Sequence, residues 1–149
     1  MEKVGLKGFF IFIVMDAAIK QLYKKYTGRD APSLYKVPTM PSEEFYNKIT
    51  QLTKGIDSEL KSSQWPECFY LPLDEVHPDA VAFGTNVYSA VSKAGVKIWI
   101  STRPNKPYAQ LYAKYVDKWF CTIEYLVPYE TAAAFNKRYE YWCYPNNQT

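Results

Sequence analysis

The feature that most constrains this chain is a rhythm. Five short runs rich in β-branched and aromatic residues, FFIFIVM (9–15), CFYL (68–71), VKIWIS (96–101), KWFCTIEY (118–125) and EYWCY (140–144), alternate with segments of helical spacing. Several runs are apolar at both alternating positions, as in strands covered on both faces. Phe45, Ile49, Leu52, Ile56 and Leu60 recur in three- and four-residue steps, with Ser42 placed as N-cap and Glu43 and Glu44 at the positive end of the helix dipole. Ala80, Phe83, Val87, Ala90, Val91 and Ala94 form a second stripe, with Asp79 as its expected cap and Gly95 at the C′ position. The segment after Asp16 reads as a helix ending at Gly28; Pro107 starts a short helix through Lys114, and Pro128 another through Arg138.

Strand then helix, repeated, predicts an α/β fold with parallel strands joined by right-handed crossovers. The chain has 149 residues, the size of one domain, so 1–149 is read as a single α/β domain. Two closures fit the spacing: a partial βα barrel, whose full form takes ~250 residues, or an open doubly wound sheet. The one long loop, residues 27–42, is rich in Pro and turn formers; long loops in compact domains are either functional or mobile surface connections.

Composition excludes more than it assigns. A net charge of +3 with 22% charged residues lacks the basic excess of a phosphate-backbone binder, so nucleic acid is not an expected partner. The 3 cysteines are odd in number, have no CxxC spacing and sit in apolar runs, which favours reduced thiols and a cytoplasmic location. Residues 1–18 have the outline of a secretory signal, but Phe9–Met15 is short for its apolar region and Asp16 stands where small neutral residues are preferred; secretion is the alternative. That run is also far short of the ~20 residues that span a bilayer, so no membrane partner is expected. His77 is the only histidine and has no partner at metal spacing. No GxGxxG, P-loop, GxSxG or HExxH occurs, and neither a metal nor a cofactor is expected.

Ligands of parallel α/β folds sit at the carboxyl ends of the strands. That rule gathers Asp16, Asp74, Glu75, Ser101, Thr102, Arg103, Glu124, Tyr125, Tyr144 and Asn146 on one rim. Asp74 and Glu75 stand out. Consecutive residues of a regular strand point to opposite faces, so two adjacent carboxylates meet one ligand only where the strand ends, and Pro72 supplies a reason for it to end. Neighbouring carboxylates raise each other's proton affinity, which allows one to act as acid while the other stays ionised. The plainer alternative is a polar end to a buried strand, with Asp74 capping the turn and Glu75 solvated. Arg103 reads either as a ligand for a hydroxyl-rich or anionic group or as a solvated loop residue. The 17% aromatic content serves a core first, although flat rings near strand ends also suit a sugar.

WPECFYLPLDEVHP, followed by a helix and GVKIWIST, resembles the C-terminal part of the (β/α)8 catalytic domains of glycoside hydrolase family 123, retaining β-N-acetylgalactosaminidases and their relatives. The resemblance rests on Trp65-Pro66-Glu67, on Pro72 to Glu75 and on the aromatic strand EYWCYPN; it covers most of the chain and about half of such a barrel. It implies substrate-assisted hydrolysis, an exception to the two-carboxylate retaining scheme. Asp74 would orient the 2-acetamido group of a β-N-acetylhexosaminide, and Glu75 would protonate the leaving oxygen and then activate water. Arg103, Tyr125, Trp142 and Tyr144 would line the carbohydrate pocket. An open half-barrel leaves two strand edges, so a homo-oligomer that covers them is an expected assembly. The alternative function is a non-catalytic carbohydrate-binding or assembly module derived from such a barrel.

Overall fold

The computed structural model describes residues 11–30, 39–74, 76, 78–100, 109–122 and 138–142. They form strands β1 (Ile11–Val14), β2 (Cys68–Leu71), β3 (Lys97–Ile100), β4 (Lys118–Thr122) and β5 (Arg138–Trp142), and helices α1 (Asp16–Thr27), α2 (Glu43–Ser62), α3 (Val81–Ser92) and α4 (Ala109–Ala113). The strands lie in the order β1-β2-β3-β4-β5, and every neighbouring pair is parallel. The α/β class with parallel strands is therefore present. A doubly wound sheet reverses its strand order at a switch point. No reversal occurs among these five strands, so the doubly wound alternative is set aside.

Alternate strand residues separate into two cores, as the period of two requires. Ile13, Tyr70, Ile98 and Ile100 join the helical residues Ile19, Tyr23, Phe45, Ile49, Phe83, Val87 and Val91 in the larger core. Phe12, Phe69, Leu71 and Trp99 form a separate cluster on the other face, to which none of the described helices contributes. The described helices thus lie on one side of the sheet. Right-handed crossovers that return on one side advance a sheet one strand at a time, a winding that the sequential order fits. Phe69, Tyr70 and Leu71 are all buried, which explains why β2 reads as a continuous apolar run and not an alternating one.

Phe83 of α3 joins the helices. Its ring meets Tyr23 of α1 edge-on at 5.9 Å and Phe45 of α2 at 6.0 Å. Thr50 Oγ1 of α2 donates to the Ala90 carbonyl of α3 at 2.7 Å. Thr53, a polar residue in the apolar stripe, is fully buried and satisfies its hydroxyl by donating to the Ile49 carbonyl at 2.9 Å. The long loop is tied at its base: the Tyr23 hydroxyl donates to the Thr39 carbonyl at 2.9 Å and accepts the Thr39 N–H at 3.3 Å. Residues 31–38 lie outside the described residues. No helix among the described residues is long and apolar enough to cross a membrane.

Several boundaries differ from expectation. Asp79 does not cap α3; it lies in a 3-10 turn, Pro78–Ala80, and Ala80 occupies the N-cap position. The fixed φ of Pro78 favours that tighter first turn. Helix α3 ends at Ser92 with Lys93 as C-cap, so Gly95 stands beyond C′, where its φ of 77° turns the chain into β3. Arg138 opens β5 instead of ending a helix, because β5 pairs with β4 residue by residue from Lys118↔Arg138 to Thr122↔Trp142. Ladder pairing decides that start, and local propensity cannot reveal it. Most of the helix expected after Pro128 lies outside the described residues.

Candidate functional site

Because the strands share one direction, all their carboxyl ends lie on one edge of the sheet. The ends of β1 and β2 are adjacent there: Val14 pairs with Leu71, and the Met15 N–H donates to the Leu71 carbonyl at 3.0 Å. Asp16 opens α1 directly after β1, and its carboxylate accepts from Lys20 Nζ at 2.6 Å, one helical turn on. That carboxylate is engaged by its own helix.

Asp74 stands on a turn held down from both sides. After β2, Pro72 removes a ladder donor and the chain bends. Leu73 is fully buried, Val76 is buried, and Asp74 between them is exposed. The Leu73 carbonyl accepts a hydrogen bond from the Tyr88 hydroxyl at 2.9 Å. Tyr88 is itself buried in α3 and packs 5.1 Å from Tyr112. Burial pushes the Tyr88 phenol well above its ordinary pKa, with Tyr112 and the negative charge of Asp74 adding to the shift, so it remains a neutral donor to that carbonyl. Val76 rests against Gly84, where an added Cβ would come within 2.9 Å of both Val76 Cγ1 and Tyr112 Oη. Leu73 and Val76 are anchors, and the exposed carboxylate of Asp74 is raised between them at the strand end.

That contact gives a direct test. Gly84→Ala gains up to about 1 kcal/mol of helix propensity. It also inserts a methyl group into a space with no room for it, and such overpacking costs about 1–3 kcal/mol. The expected outcome is net destabilisation, read as a lower urea midpoint with an unchanged slope; a raised midpoint would show that Val76 is not pressed against α3.

Of the other residues expected at the rim, Glu75, Ser101, Thr102, Arg103, Glu124, Tyr125, Tyr144 and Asn146 lie outside the described residues; so does His77, which is not expected there. Trp142 is the last residue of β5, paired with Thr122, and β3 and β4 separate it from the Asp74 turn along the same edge. Sequence reasoning missed Gly84, Tyr88 and Tyr112, which position the turn. The signal was present in part: Gly84, Tyr88 and Val91 follow the four- and three-residue steps of one helix face, but a tyrosine among apolar positions announces neither burial nor a carbonyl partner.

The face of the sheet away from the helices carries Phe12 and Trp99, with ring centroids 4.5 Å apart, and Phe69, over which Lys118 Nζ stands at 4.6 Å. Among the described residues no group of three or more His, Cys, Asp and Glu side chains gathers as a metal site would require. No protein-family profile, curated protein or solved structure matches the chain.

Proposed function

We propose that this chain is a glycoside-hydrolase-like protein, a partial (β/α)8 barrel in which Asp74 and Glu75 carry out substrate-assisted, retaining hydrolysis of a β-N-acetylhexosaminide. The observation that carries the proposal is the anchored turn after β2, which presents an exposed carboxylate at the carboxyl edge of a parallel sheet. The strand order supports the barrel: sequential parallel strands with their helices on one side are the winding of a βα barrel. The bulky cluster Phe12, Phe69, Leu71 and Trp99 suits the filling of a barrel interior. The Pro-x-Asp-Glu run from Pro72 to Glu75 and the WPE run before β2 support the choice of chemistry by resemblance.

In this mechanism the carboxylate of Asp74 holds the acetamido N–H and stabilises the positive charge that grows as the acetamido oxygen attacks the anomeric carbon. Glu75 donates its proton to the departing glycosidic oxygen and then takes one from the incoming water. Arg103, Tyr125, Trp142 and Tyr144 form the carbohydrate wall. The test is release of 4-nitrophenol from 4-nitrophenyl N-acetyl-β-D-galactosaminide, present in the wild type and slowed in Glu75→Gln. No release by the wild type, with thermal protection by saccharides, would favour the non-catalytic carbohydrate-binding module instead.

A second copy of the chain is the assembly partner in this proposal. Among the described residues β1 pairs only with β2 and β5 only with β4, so each presents an edge. Placing β5 of one copy beside β1 of the other, twice about a two-fold axis, keeps every strand parallel and covers both edges. Light scattering is expected to give the mass of a dimer; a monomer mass at tens of micromolar would remove this partner.

A further inference from the structure

The opposite edge of the sheet, where β2 and β3 begin, holds a cavity of about 330 Å³ between the last turns of α2 and the approach to β3. Asp57, Lys61, Trp65, Glu67, Cys68 and Lys97 are among its lining residues. Trp65 is 52% exposed, unusual for a large apolar ring, and its backbone is held in place. Helix α2 ends in a Schellman arrangement: the Gln64 N–H donates to the Lys61 carbonyl at 3.1 Å, and the Trp65 N–H donates to the Leu60 carbonyl at 2.9 Å. Gln64 takes the left-handed conformation this motif needs, with φ 56°, at a cost of about 1–2 kcal/mol that glycine would avoid. Pro66 then restricts Trp65 further.

The charges of the lining cancel. Lys61 Nζ pairs with Asp57 Oδ2 at 2.6 Å, and Lys97 Nζ pairs with Glu67 Oε1 at 2.6 Å. Two carboxylates and two ammonium groups leave no net charge to recruit an ion, yet they offer acceptors and donors side by side, the pattern that a hydroxyl group matches in both roles. A third observation comes from β2. Tyr70 lies on the same strand face as Cys68 and is fully buried, with its hydroxyl beside the Asp57 carboxylate. Burial, the Asp57 carboxylate and Cys68 raise its pKa, so the neutral phenol keeps its proton to donate.

We propose that this cavity is a second ligand site, for a neutral, hydroxyl-rich small molecule such as a mono- or disaccharide, with Trp65 as its stacking surface and the Asp57–Lys61 and Glu67–Lys97 pairs as its hydrogen-bonding rim. It stands apart from the Asp74 turn, at the other ends of the strands, and does not depend on the hydrolase proposal.

The experiment titrates maltose and cellobiose, with inorganic phosphate as the charged control, into the full chain carrying Glu75→Gln, and follows tryptophan fluorescence and calorimetric heat. Saturable binding of either disaccharide is expected, weakened roughly fivefold to tenfold in Trp65→Ala and restored in Trp65→Tyr, which keeps a flat ring. Trp65 is half exposed, so Trp65→Ala is expected to keep the thermal midpoint of its parent, which confirms that any lost binding is local. Absence of disaccharide binding, binding undiminished in Trp65→Ala, or preferential binding of phosphate would each overturn the proposal. Because binding is read in the Glu75→Gln protein, its failure is distinct from a failure of hydrolysis at the other edge.

Discussion

Glu75→Gln is expected to slow hydrolysis of an alkyl-linked N-acetylhexosaminide by about 10²–10⁴-fold, the usual contribution of a positioned general acid. The loss should be smaller with a nitrophenyl substrate, whose leaving oxygen needs little protonation. Asp74→Asn is expected to cost about 10²–10³-fold, the magnitude of losing one charge that stabilises the transition state. Its signature differs: it should persist with both leaving groups, because Asp74 acts on the acetamido group and not on the departing oxygen. Asp74 is exposed, and its turn is held by Leu73 and Val76, so the chain with asparagine there is expected to remain folded, with a single cooperative thermal transition. Steady-state rates on the two substrates, together with thermal unfolding curves, check all three statements. Equal rates for wild type and Asp74→Asn would remove the assisting role and leave Asp74 as the cap of a turn.

The largest stability effect is expected at Phe83. Its side chain is 1% exposed and its ring lies against Tyr23 and Phe45, one from each preceding helix. Phe83→Ala therefore opens a cavity where three helices meet, and such changes cost about 3–5 kcal/mol. That is a large share of the roughly 5–15 kcal/mol by which domains are stable. A fall in the urea midpoint of that size, with an unchanged slope, is the expected result. A cost below about 1 kcal/mol would mean that the helices do not share one core. The residue after Phe83 is Gly84, the contact of Val76, so the same substitution should also loosen the Asp74 turn.

The elements were largely legible. The α2 stripe from Phe45 to Leu60 and the run CFYL announced a helix and a strand by apolar spacing, and both occur where that spacing put them. The site was legible only as chemistry in series. Asp74 could be singled out because it follows a strand and a proline, but its exposure depends on two anchors in the next residues and on α3 behind them. The hydroxyl of Tyr88 and the missing side chain of Gly84 act across the fold, and no local pattern records which carbonyl or methyl group they meet. The Trp65 cavity was illegible for the same reason: Asp57, Glu67 and Lys97 are scattered along the chain and converge only when α2, β2 and β3 pack.

By itself the sequence determined the class, because periods of two and of three to four residues are properties of local backbone geometry that side-chain polarity reports directly. The tertiary structure decided the winding. Whether successive strands advance in order or reverse depends on which face of the sheet each crossover returns to, and β2 and β3 are apolar on both. Only packing distinguishes the face that receives the helices from the face that holds Phe12, Phe69, Leu71 and Trp99.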